Sequence, residues 1–345
     1  MTCLLIAASG TGGHLFPALA VAEYLNDYEI EWLGVSDRLE RTLVPSTYLL
    51  HIIDVEGFQS SKLSFASLKV LLGQLKAITK VKKLLKQRKI DVVFTTGGYI
   101  AAPAILAAYW ARIPVVLHES NSIPGKVTRF LSKFCSTTAI GLKETENFLS
   151  KSILVGNPVR KEFLTPQNLD IPLNNEQFLI VIVGGSQGAL ALNKMVRACL
   201  STWLKEECVI VHLTGEKDCL DLGLSGYYSF PFYANMAGLL QRANLAISRS
   251  GSATLAELSA TSTPSILIPF PYAAEDHQFH NAKSFSQAGA ALLYRQSEIN
   301  ENILEKLVLD LLKNPHKLEE MKIQTKKLAM PDTVKQIAQI IREYN

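Results

Sequence analysis

Residues 3–14 read CLLIAASGTGGH, a short apolar run that ends in a glycine-rich turn and a histidine. Residues 178–189 read FLIVIVGGSQGA and repeat this arrangement in the second half of the chain. A buried strand followed by a glycine-rich turn and a helix is typical of a parallel sheet covered by helices. The two segments therefore predict an α/β chain with two successive Rossmann-like parallel-sheet domains.

Outside these segments, short apolar runs alternate with longer stretches of helical periodicity. The predicted strands are Cys3–Ala8, Ile30–Leu33, Val92–Thr95, Val115–His118, Ile153–Val155, Phe178–Val183, Cys208–Leu213, Leu245–Ser248 and Ser265–Ile268. Residues 65–89 and 101–111 are predicted to be crossover helices. Because open parallel sheets bind ligands beyond the carboxyl ends of their strands, we expect the two domains to face across a cleft that holds the site.

A segment rich in proline and asparagine predicts the boundary between the domains. GNPVR at 156–160 and TPQNLDIPLNN at 165–175 have no periodicity and contain many turn-forming residues. We therefore predict domains over 1–160 and 161–330, which suits a chain of 345 residues. The last segment, 331–345, has a helical pattern, and we expect it to return to the first domain.

Composition excludes several classes of protein. Apolar residues make up 48% of the chain and charged residues 19%, which argues against disorder. The N-terminus has no basic region before its apolar run, so it predicts a strand and not a signal peptide. No apolar run is long enough to span a bilayer. Five scattered cysteines without a C-x-x-C pair predict packing thiols rather than disulfides or a zinc site.

Neither glycine-rich turn matches a common nucleotide-binding fingerprint. The dinucleotide pattern G-x-G-x-x-G would need a glycine at Leu15, and no G-K-S/T follows either turn as a P-loop requires. Both turns nevertheless offer backbone N–H groups that an anion can approach closely. The Ser186 hydroxyl makes the second turn suitable for a diphosphate. A tight turn without a ligand is the alternative for both.

Several polar residues follow predicted strands and could carry chemistry. His14 opens a helix, whose positive end favours the neutral, basic imidazole, although a structural histidine is the alternative. Glu257 lies one turn inside a helix, where it could accept hydrogen bonds from a ribose diol or simply face solvent. Residues 118–121, HESN, add polar groups in the first domain, and the loop 269–282 suits a sugar. Without a D-x-D motif or a ligand set, we expect no metal ion and no cofactor.

The segment 62–89 is basic and amphipathic. It contains no acidic residue but carries Lys62, Lys69, Lys76, Lys80, Lys82, Lys83, Lys86, Arg88 and Lys89. We predict that its apolar stripe packs on the sheet and that its lysines meet an anionic membrane surface. A solvated basic face on an ordinary core helix is the alternative. No recognition motif accompanies the segment, so we do not expect a nucleic-acid partner.

The motifs GTGGHLFPALA (10–20), TGGYIAAP (96–103), HESN, GNPVR, GGSQGA (184–189), RSGSATLAE (249–257) and HQFHNA (277–282) occur in this order. Together they resemble the MurG family of peptidoglycan glycosyltransferases over nearly the whole chain. The resemblance implies the GT-B fold and inverting transfer from UDP-N-acetylglucosamine to the 4-hydroxyl of undecaprenyl-diphosphate-linked N-acetylmuramoyl-pentapeptide. This reaction converts lipid I to lipid II. The implied location is peripheral, on the cytoplasmic face of the plasma membrane.

The same resemblance implies roles for individual residues. The donor-binding residues would be Thr11, Gly12, Gly13, Asn121, Arg160, Ser186, Tyr233, Ser252, Ala253, Thr254, Leu255, Ala256, Glu257 and Gln278. Gly97, Gly98 and Tyr99 would meet the acceptor diphosphate. His14 is the candidate general base, with Glu119 as second choice or as an orienting group. Ser120, Tyr233 and His277 depart from the residues common in the family.

Three other functions fit parts of the pattern. A transferase with a soluble acceptor shares the architecture, but the basic segment and the TGGY turn count against it. A UDP-N-acetylglucosamine 2-epimerase would act on the donor alone. A non-catalytic UDP-sugar sensor would bind the donor without releasing UDP.

Overall fold

A computed structural model describes residues 1–10, 12–36, 40–55, 65–149, 151–171, 173–174, 176–185 and 188–344. The chain divides into two compact units, one formed by Met1–Arg160 with Asp332–Asn345 and the other by Lys161–Pro331. Among the described residues, no helix is both long and apolar enough to cross a membrane.

The first unit contains a seven-stranded parallel sheet in the order β3-β2-β1-β4-β5-β6-β7. Its strands are β1 Cys3–Ala7, β2 Glu29–Val35, β3 Leu49–Ile53, β4 Val92–Thr95, β5 Val115–Glu119, β6 Thr137–Ile140 and β7 Ser152–Leu154. Its first five helices are α1 Gly12–Tyr24, α2 Glu40–Leu43, α3 Phe65–Gln87, α4 Ala101–Ala111 and α5 Lys126–Leu131. Short 3₁₀ turns follow at Ser132–Phe134 and Lys143–Asn147.

The second unit contains a six-stranded parallel sheet in the order β10-β9-β8-β11-β12-β13. Its strands are β8 Leu179–Val183, β9 Val209–Leu213, β10 Tyr227–Phe230, β11 Leu245–Ser248, β12 Ser265–Leu267 and β13 Ala291–Leu293. Its helices are α6 Leu190–Lys205, α7 Met236–Arg242, α8 Ser252–Ala260, α9 His277–Gln287, α10 Glu301–Lys313 and α11 Pro315–Lys327. The 3₁₀ turns are Lys161–Leu164, Glu216–Asp218 and Ala274–Asp276.

The predicted pair of parallel α/β sheets is confirmed, with four further strands that the sequence did not reveal. Three of these, β3, β10 and β13, lie at sheet edges, and β6 is a short interior strand that begins with two threonines. Polar residues interrupt β3, β6 and β10, and β13 has only three residues, so none of the four shows the longer continuous apolar run that identifies a strand buried on both faces.

The C-terminal helix, α12 Thr333–Arg342, packs on the first unit. Ile337 and Ile341 lie fully buried in the same core as Leu4 and Ile6 of β1. The Thr333 hydroxyl donates a hydrogen bond of 2.7 Å to the carbonyl oxygen of Val155. The helix therefore covers one face of the sheet together with α1, while Leu5 and Ala7 of β1 face α3 and α4 on the other side.

We expect Ile341→Ala to lower the free energy of unfolding by about 2–5 kcal/mol, because it leaves a cavity in the core beside β1. Gln339 is exposed on the same helix, and Gln339→Ala should change that free energy by less than about 0.5 kcal/mol. Urea denaturation followed by circular dichroism measures both. Equal midpoints for the two variants would contradict the buried packing of α12.

Candidate active site

His14 is locked to the end of β4 by two reciprocal hydrogen bonds. Its Nδ1 lies 2.7 Å from the carbonyl oxygen of Thr96, and the Thr96 hydroxyl donates to the carbonyl oxygen of His14 at 3.0 Å. A carbonyl oxygen can only accept, so Nδ1 is the nitrogen that carries the proton. In the neutral ring the lone pair is therefore on Nε2, which makes Nε2 the atom able to take up a proton.

The predicted acceptor turn lies directly against this imidazole. Gly97 and Gly98 have φ angles of +88° and +78°, a conformation that favours glycine. A Cβ atom at Gly98 would lie 3.7 Å from Nε2 of His14, and one at Gly97 would lie 3.8 Å from its Cε1. Tyr99 is largely exposed. The structure thus brings the candidate base and the TGGY turn together.

Glu119 uses both carboxylate oxygens to hold its own loop. Oε1 accepts from the backbone N–H and the side-chain amide of Asn121, at 3.0 and 3.1 Å. Oε2 accepts from the N–H of Gly125 at 3.2 Å. These contacts favour the orienting role for Glu119 over the role of base, and they fix the side chain of Asn121.

The GNPVR segment is tied to the same strand end. His118 is fully buried, and its Nε2 donates to the carbonyl oxygen of Gly156 at 2.8 Å. Burial lowers the pKa of His118, so this imidazole stays neutral. The guanidinium carbon of Arg160 lies 4.7 Å from the ring centroid of Phe16, which is also the ring that a Cβ atom at Gly12 would strike. These contacts place Arg160 beside the first glycine-rich turn.

Each glycine-rich turn contains a predicted donor-binding residue that the structure does not describe. Thr11 and Ser186 lie outside the described residues. In the second turn, Gly188 has a φ of +75°, and a Cβ atom there would lie 2.6 Å from the carbonyl oxygen of Thr214. The turn between β8 and α6 therefore rests directly on the backbone that follows β9.

A buried polar network supports that backbone. The side-chain amide of Asn193 donates to the carbonyl oxygen of Thr214 at 2.9 Å and to Asp218 at 2.7 Å. His212 Nε2 lies 3.0 Å from the Asn193 side-chain oxygen, and His212 Nδ1 lies 3.0 Å from the Tyr227 hydroxyl. Burial lowers the pKa of His212 to about 3, so the ring is neutral, donates from Nε2 and accepts at Nδ1.

The Asp218 end of the network carries an ion pair. Arg197 donates to the Asp218 carboxylate at 3.1 Å and to its carbonyl oxygen at 2.6 Å. The hydrogen bond from Arg197 holds the pKa of Asp218 below its usual value. A chain of side chains from Tyr227 to Arg197 thus fixes the surface on which the second glycine-rich turn lies.

The first turn of α8 contains backbone N–H groups that have no partner within the helix. The N–H groups of Ser252, Ala253 and Thr254 precede the first hydrogen bond within the helix, which Leu255 donates to the carbonyl oxygen of Gly251 at 3.0 Å. These three groups suit an anion at the positive end of the helix. Leu255 is buried in the unit, and Ala256 continues the helix, so both would act by holding that turn. Glu257 follows one turn inside.

Gln278 is oriented by the turns around it. Its side-chain oxygen accepts from the N–H groups of Phe270 and Ser250, at 2.9 and 3.3 Å, and the Ser250 hydroxyl donates to the carbonyl oxygen of Gln278 at 2.8 Å. The side-chain NH₂ is therefore the group that can reach a sugar hydroxyl. Tyr233 lies just past β10, 5.3 Å from the ring of Phe230.

Arg249 supports the loop that follows β12. It is buried and donates from Nη1 to the carbonyl oxygens of Ile268 and Pro269, at 2.9 and 3.0 Å. Its Nη2 donates to the side-chain oxygen of Gln296 at 2.7 Å. Burial lowers the pKa of Arg249 to about 10, which still leaves it charged at neutral pH. The sequence placed Arg249 in a motif but gave no sign of this bracing role.

Both halves of the chain are similar to known protein families. Residues 4–140 match the glycosyltransferase family 28 N-terminal domain, and residues 179–337 match the family 28 C-terminal domain. The chain is 59% identical, over 99% of its length and 96% of the relative, to a Gloeothece citriformis protein. That protein is named UDP-N-acetylglucosamine–N-acetylmuramyl-(pentapeptide) pyrophosphoryl-undecaprenol N-acetylglucosamine transferase.

The chain belongs to the MurG group of glycosyltransferase family 28.

Two further likenesses agree with this membership. A Microcystis aeruginosa protein with the same name is also 59% identical, over 99% of this chain and 96% of its own. The crystal structure of MurG from Acinetobacter baumannii is similar with a TM-score of 0.78 and 29% identity, covering 99% of this chain and all of that one. The resemblance inferred from the motifs is confirmed, as are the fold and the assignment as a glycosyltransferase.

We expect this glycosyltransferase to become less stable as the pH falls from 7 to 5. His212 has a pKa of about 3 when folded, whereas an unfolded histidine takes up a proton near pH 6.5. A pKa that is lowered by folding contributes stability above the unfolded value and loses it as the pH falls. His212 alone should therefore cost about 2 kcal/mol at pH 5, and His118 should add to this loss.

Urea denaturation at pH 7 and pH 5 measures this loss. The His212→Gln variant retains an amide donor but does not titrate, so its free energy of unfolding should depend less steeply on pH. The same pH dependence in the variant and the parent would contradict a neutral, buried His212.

Proposed function

We propose that this chain transfers N-acetylglucosamine from UDP-N-acetylglucosamine to the 4-hydroxyl of undecaprenyl-diphosphate-linked N-acetylmuramoyl-pentapeptide, with inversion at the anomeric carbon. The reaction converts lipid I to lipid II in peptidoglycan synthesis. The observation that carries the proposal is 59% identity, over 99% of the chain, to a relative whose name states this donor and this acceptor.

His14 is the general base of the proposed reaction. The 4-hydroxyl must lose its proton as the sugar gains oxocarbenium character. The carbonyl oxygen of Thr96 holds the proton on Nδ1 of His14, so Nε2 takes the hydroxyl proton. Glu119 orients the 120–125 loop and thereby Asn121. Gly97 and Gly98, which lie against the same imidazole, bind the acceptor diphosphate together with Tyr99.

The donor is bound mainly by the second unit. The glycine-rich turn at Ser186 and the N–H groups at the start of α8 stabilise the negative charge that develops on the leaving UDP. Glu257 accepts hydrogen bonds from the ribose, and Gln278 donates its side-chain NH₂ to the sugar. The backbone at Tyr233 meets the uracil. Thr11, Gly12, Gly13, Asn121 and Arg160 are the further residues that contact the donor.

Release of UDP tests the reaction and separates two of these roles. With UDP-N-acetylglucosamine, a short-chain lipid I analogue and EDTA, we expect UDP release that depends on the acceptor and yields a disaccharide. His14→Ala should lower turnover about 10²–10⁴-fold and leave the affinity for UDP nearly unchanged. Glu257→Ala should show the opposite pattern, with weaker UDP binding in calorimetry.

Other outcomes would favour the other functions. Conversion of the donor without acceptor would indicate an epimerase. UDP binding without any release would indicate a sensor or a different acceptor. Near-normal turnover in His14→Ala would remove His14 from the role of base.

We also propose that α3 and its neighbours rest on an anionic membrane surface, at the cytoplasmic face. Ala77, Ile78, Val81 and Leu85 of α3 are buried against the sheet, which leaves its lysines facing outward. The exposed residues of α3 include Lys76, Lys80, Lys82, Lys83 and Lys86. Lys62 and the side chain of Lys69 lie outside the described residues.

Large apolar side chains are also exposed on α3, α4 and α5, namely Leu72, Leu75, Tyr109, Trp110 and Phe130. A basic face beside exposed aromatic residues is typical of peripheral membrane contact.

Neutralising part of this basic face should weaken membrane binding. For the double variant Lys83→Gln and Lys86→Gln we expect about thirtyfold weaker binding to phosphatidylglycerol vesicles, at roughly 1 kcal/mol per lysine. Lys322 and Lys326 are exposed on α11 of the other unit, and their double change to glutamine is the matched control. Cosedimentation with vesicles measures both. An equal loss of vesicle binding in the control variant would contradict the proposed surface. Equally tight binding of the parent protein to vesicles made only of phosphatidylcholine would contradict it as well.

A further inference from the structure

Two consecutive residues before α9 adopt the left-handed conformation. Glu275 has φ/ψ of 52°/26°, and Asp276 has 56°/26°. Such angles are unfavourable for residues with a Cβ atom. The other described non-glycine residues with positive φ are Lys89, Arg112, Glu207 and Ser262. Each of those is a single residue just past the end of a helix, where a left-handed residue terminates the helix. Glu275 and Asp276 instead precede a helix, so helix termination does not explain them.

Arg295 binds the second of these two residues, Asp276. Its Nη2 donates to Oδ2 of Asp276 at 2.7 Å, and its guanidinium carbon lies 3.6 Å from the ring centroid of Phe279 on α9. The backbone of Arg295 is itself fixed just past β13. Its N–H donates to the carboxylate of Glu298 at 3.1 Å, and its carbonyl oxygen accepts from the N–H of Glu298 at 2.9 Å. One side chain from a fixed backbone therefore binds both Asp276 and the helix that follows it.

The gripped segment carries Gln278. This residue lies two positions after Asp276, in the first turn of α9, and its side-chain oxygen is bound by the N–H groups of Ser250 and Phe270. The residue after Arg295, Gln296, binds the buried Arg249 that braces the turn after β12. Arg295 and Gln296, which follow β13, thus contact Asp276 just before Gln278 and Arg249 beneath the loop after β12.

We propose that Arg295 is a positioning residue for the donor sugar. By holding Glu275 and Asp276 in the left-handed conformation, it aims the Gln278 side-chain NH₂ and the first turn of α9 at the hexosamine. It acts on the sugar half of the donor and not on the UDP half. The inference rests on the function proposed above, in which Gln278 meets the sugar.

The contacts of Arg295 with Asp276 and Phe279, called the clamp below, set the geometry of this segment more than they stabilise the fold. The side chains of Arg295 and Asp276 remain 38% and 34% exposed, so their ion pair is screened by solvent and adds little to the stability of the fold. Loss of Arg295 should leave the unit folded and allow the strained pair to relax. The relaxation would displace Gln278, and displacement of a sugar-binding group affects the sugar before it affects the nucleotide.

Comparison of UDP with UDP-N-acetylglucosamine tests this proposal. For Arg295→Met we expect KM for UDP-N-acetylglucosamine to rise, and kcat/KM to fall, by about tenfold to a hundredfold, as for a misplaced binding group. The dissociation constant for UDP, measured by calorimetry, should change less than about twofold. Adding Glu275→Gly to Arg295→Met should recover part of the loss, because glycine adopts the left-handed conformation without strain.

Arg342→Met is the matched control. Arg342 also makes a half-exposed ion pair, with Asp27 at 2.9 Å, and also lies over an aromatic ring, but it belongs to α12 of the other unit. This control should leave the binding of both ligands unchanged.

Two results for Arg295→Met would overturn the clamp. One is an unchanged KM for UDP-N-acetylglucosamine, and the other is an equal loss of affinity for UDP and for UDP-N-acetylglucosamine. If the parent enzyme binds UDP-N-acetylglucosamine but never releases UDP in the presence of acceptor, the proposed function fails instead. The calorimetric difference between the two ligands then still decides whether Arg295 acts on the sugar.

Discussion

Every strand in both sheets runs parallel to its neighbours, and this constraint determines where the site residues can lie. Parallel pairing places all carboxyl ends at one edge of each sheet, so the turns after β1, β4 and β5 converge in the first unit. The turns after β8, β9, β11 and β12 converge in the second. Because helices cover both faces of the sheets, that edge is where backbone N–H groups and polar side chains can meet a ligand.

Residues behind the site fix its geometry at each of these turns. The carbonyl oxygen of Thr96 keeps the proton on Nδ1 of His14. Glu119 holds the 120–125 loop, and Arg249 binds the carbonyl oxygens after β12. Each of these contacts uses a buried or half-buried side chain to satisfy backbone groups that would otherwise be left without partners. A transferase that works through aligned donors and one base depends on such support, because small displacements weaken the stabilisation of developing charge.

The two units use different means to achieve this support. In the first, glycines at 97 and 98 let the backbone lie flat against an imidazole. In the second, a neutral buried histidine and an Asn193 amide carry the turn that follows β8, and an ion pair holds a strained segment before α9. The buried histidine makes stability depend on pH, whereas the half-exposed ion pair adds little to stability and mainly sets geometry.

The parallel α/β architecture, the glycine-rich turns, the amphipathic α3 and the family could all be predicted from the sequence, because they depend on local periodicity, turn chemistry and ordered motifs. The sequence also brought His14 and the TGGY turn into consideration as separate features. Three contacts became visible only in the folded chain: Thr96 sets the tautomer of His14, Asn193 and His212 support the second turn, and Arg295 binds Asp276. These pairs are separated by 19 to 82 residues in the chain, and no periodicity relates them. Such contacts exist because the sheets bring distant strand ends together, so they follow from the fold and cannot be deduced from neighbouring residues.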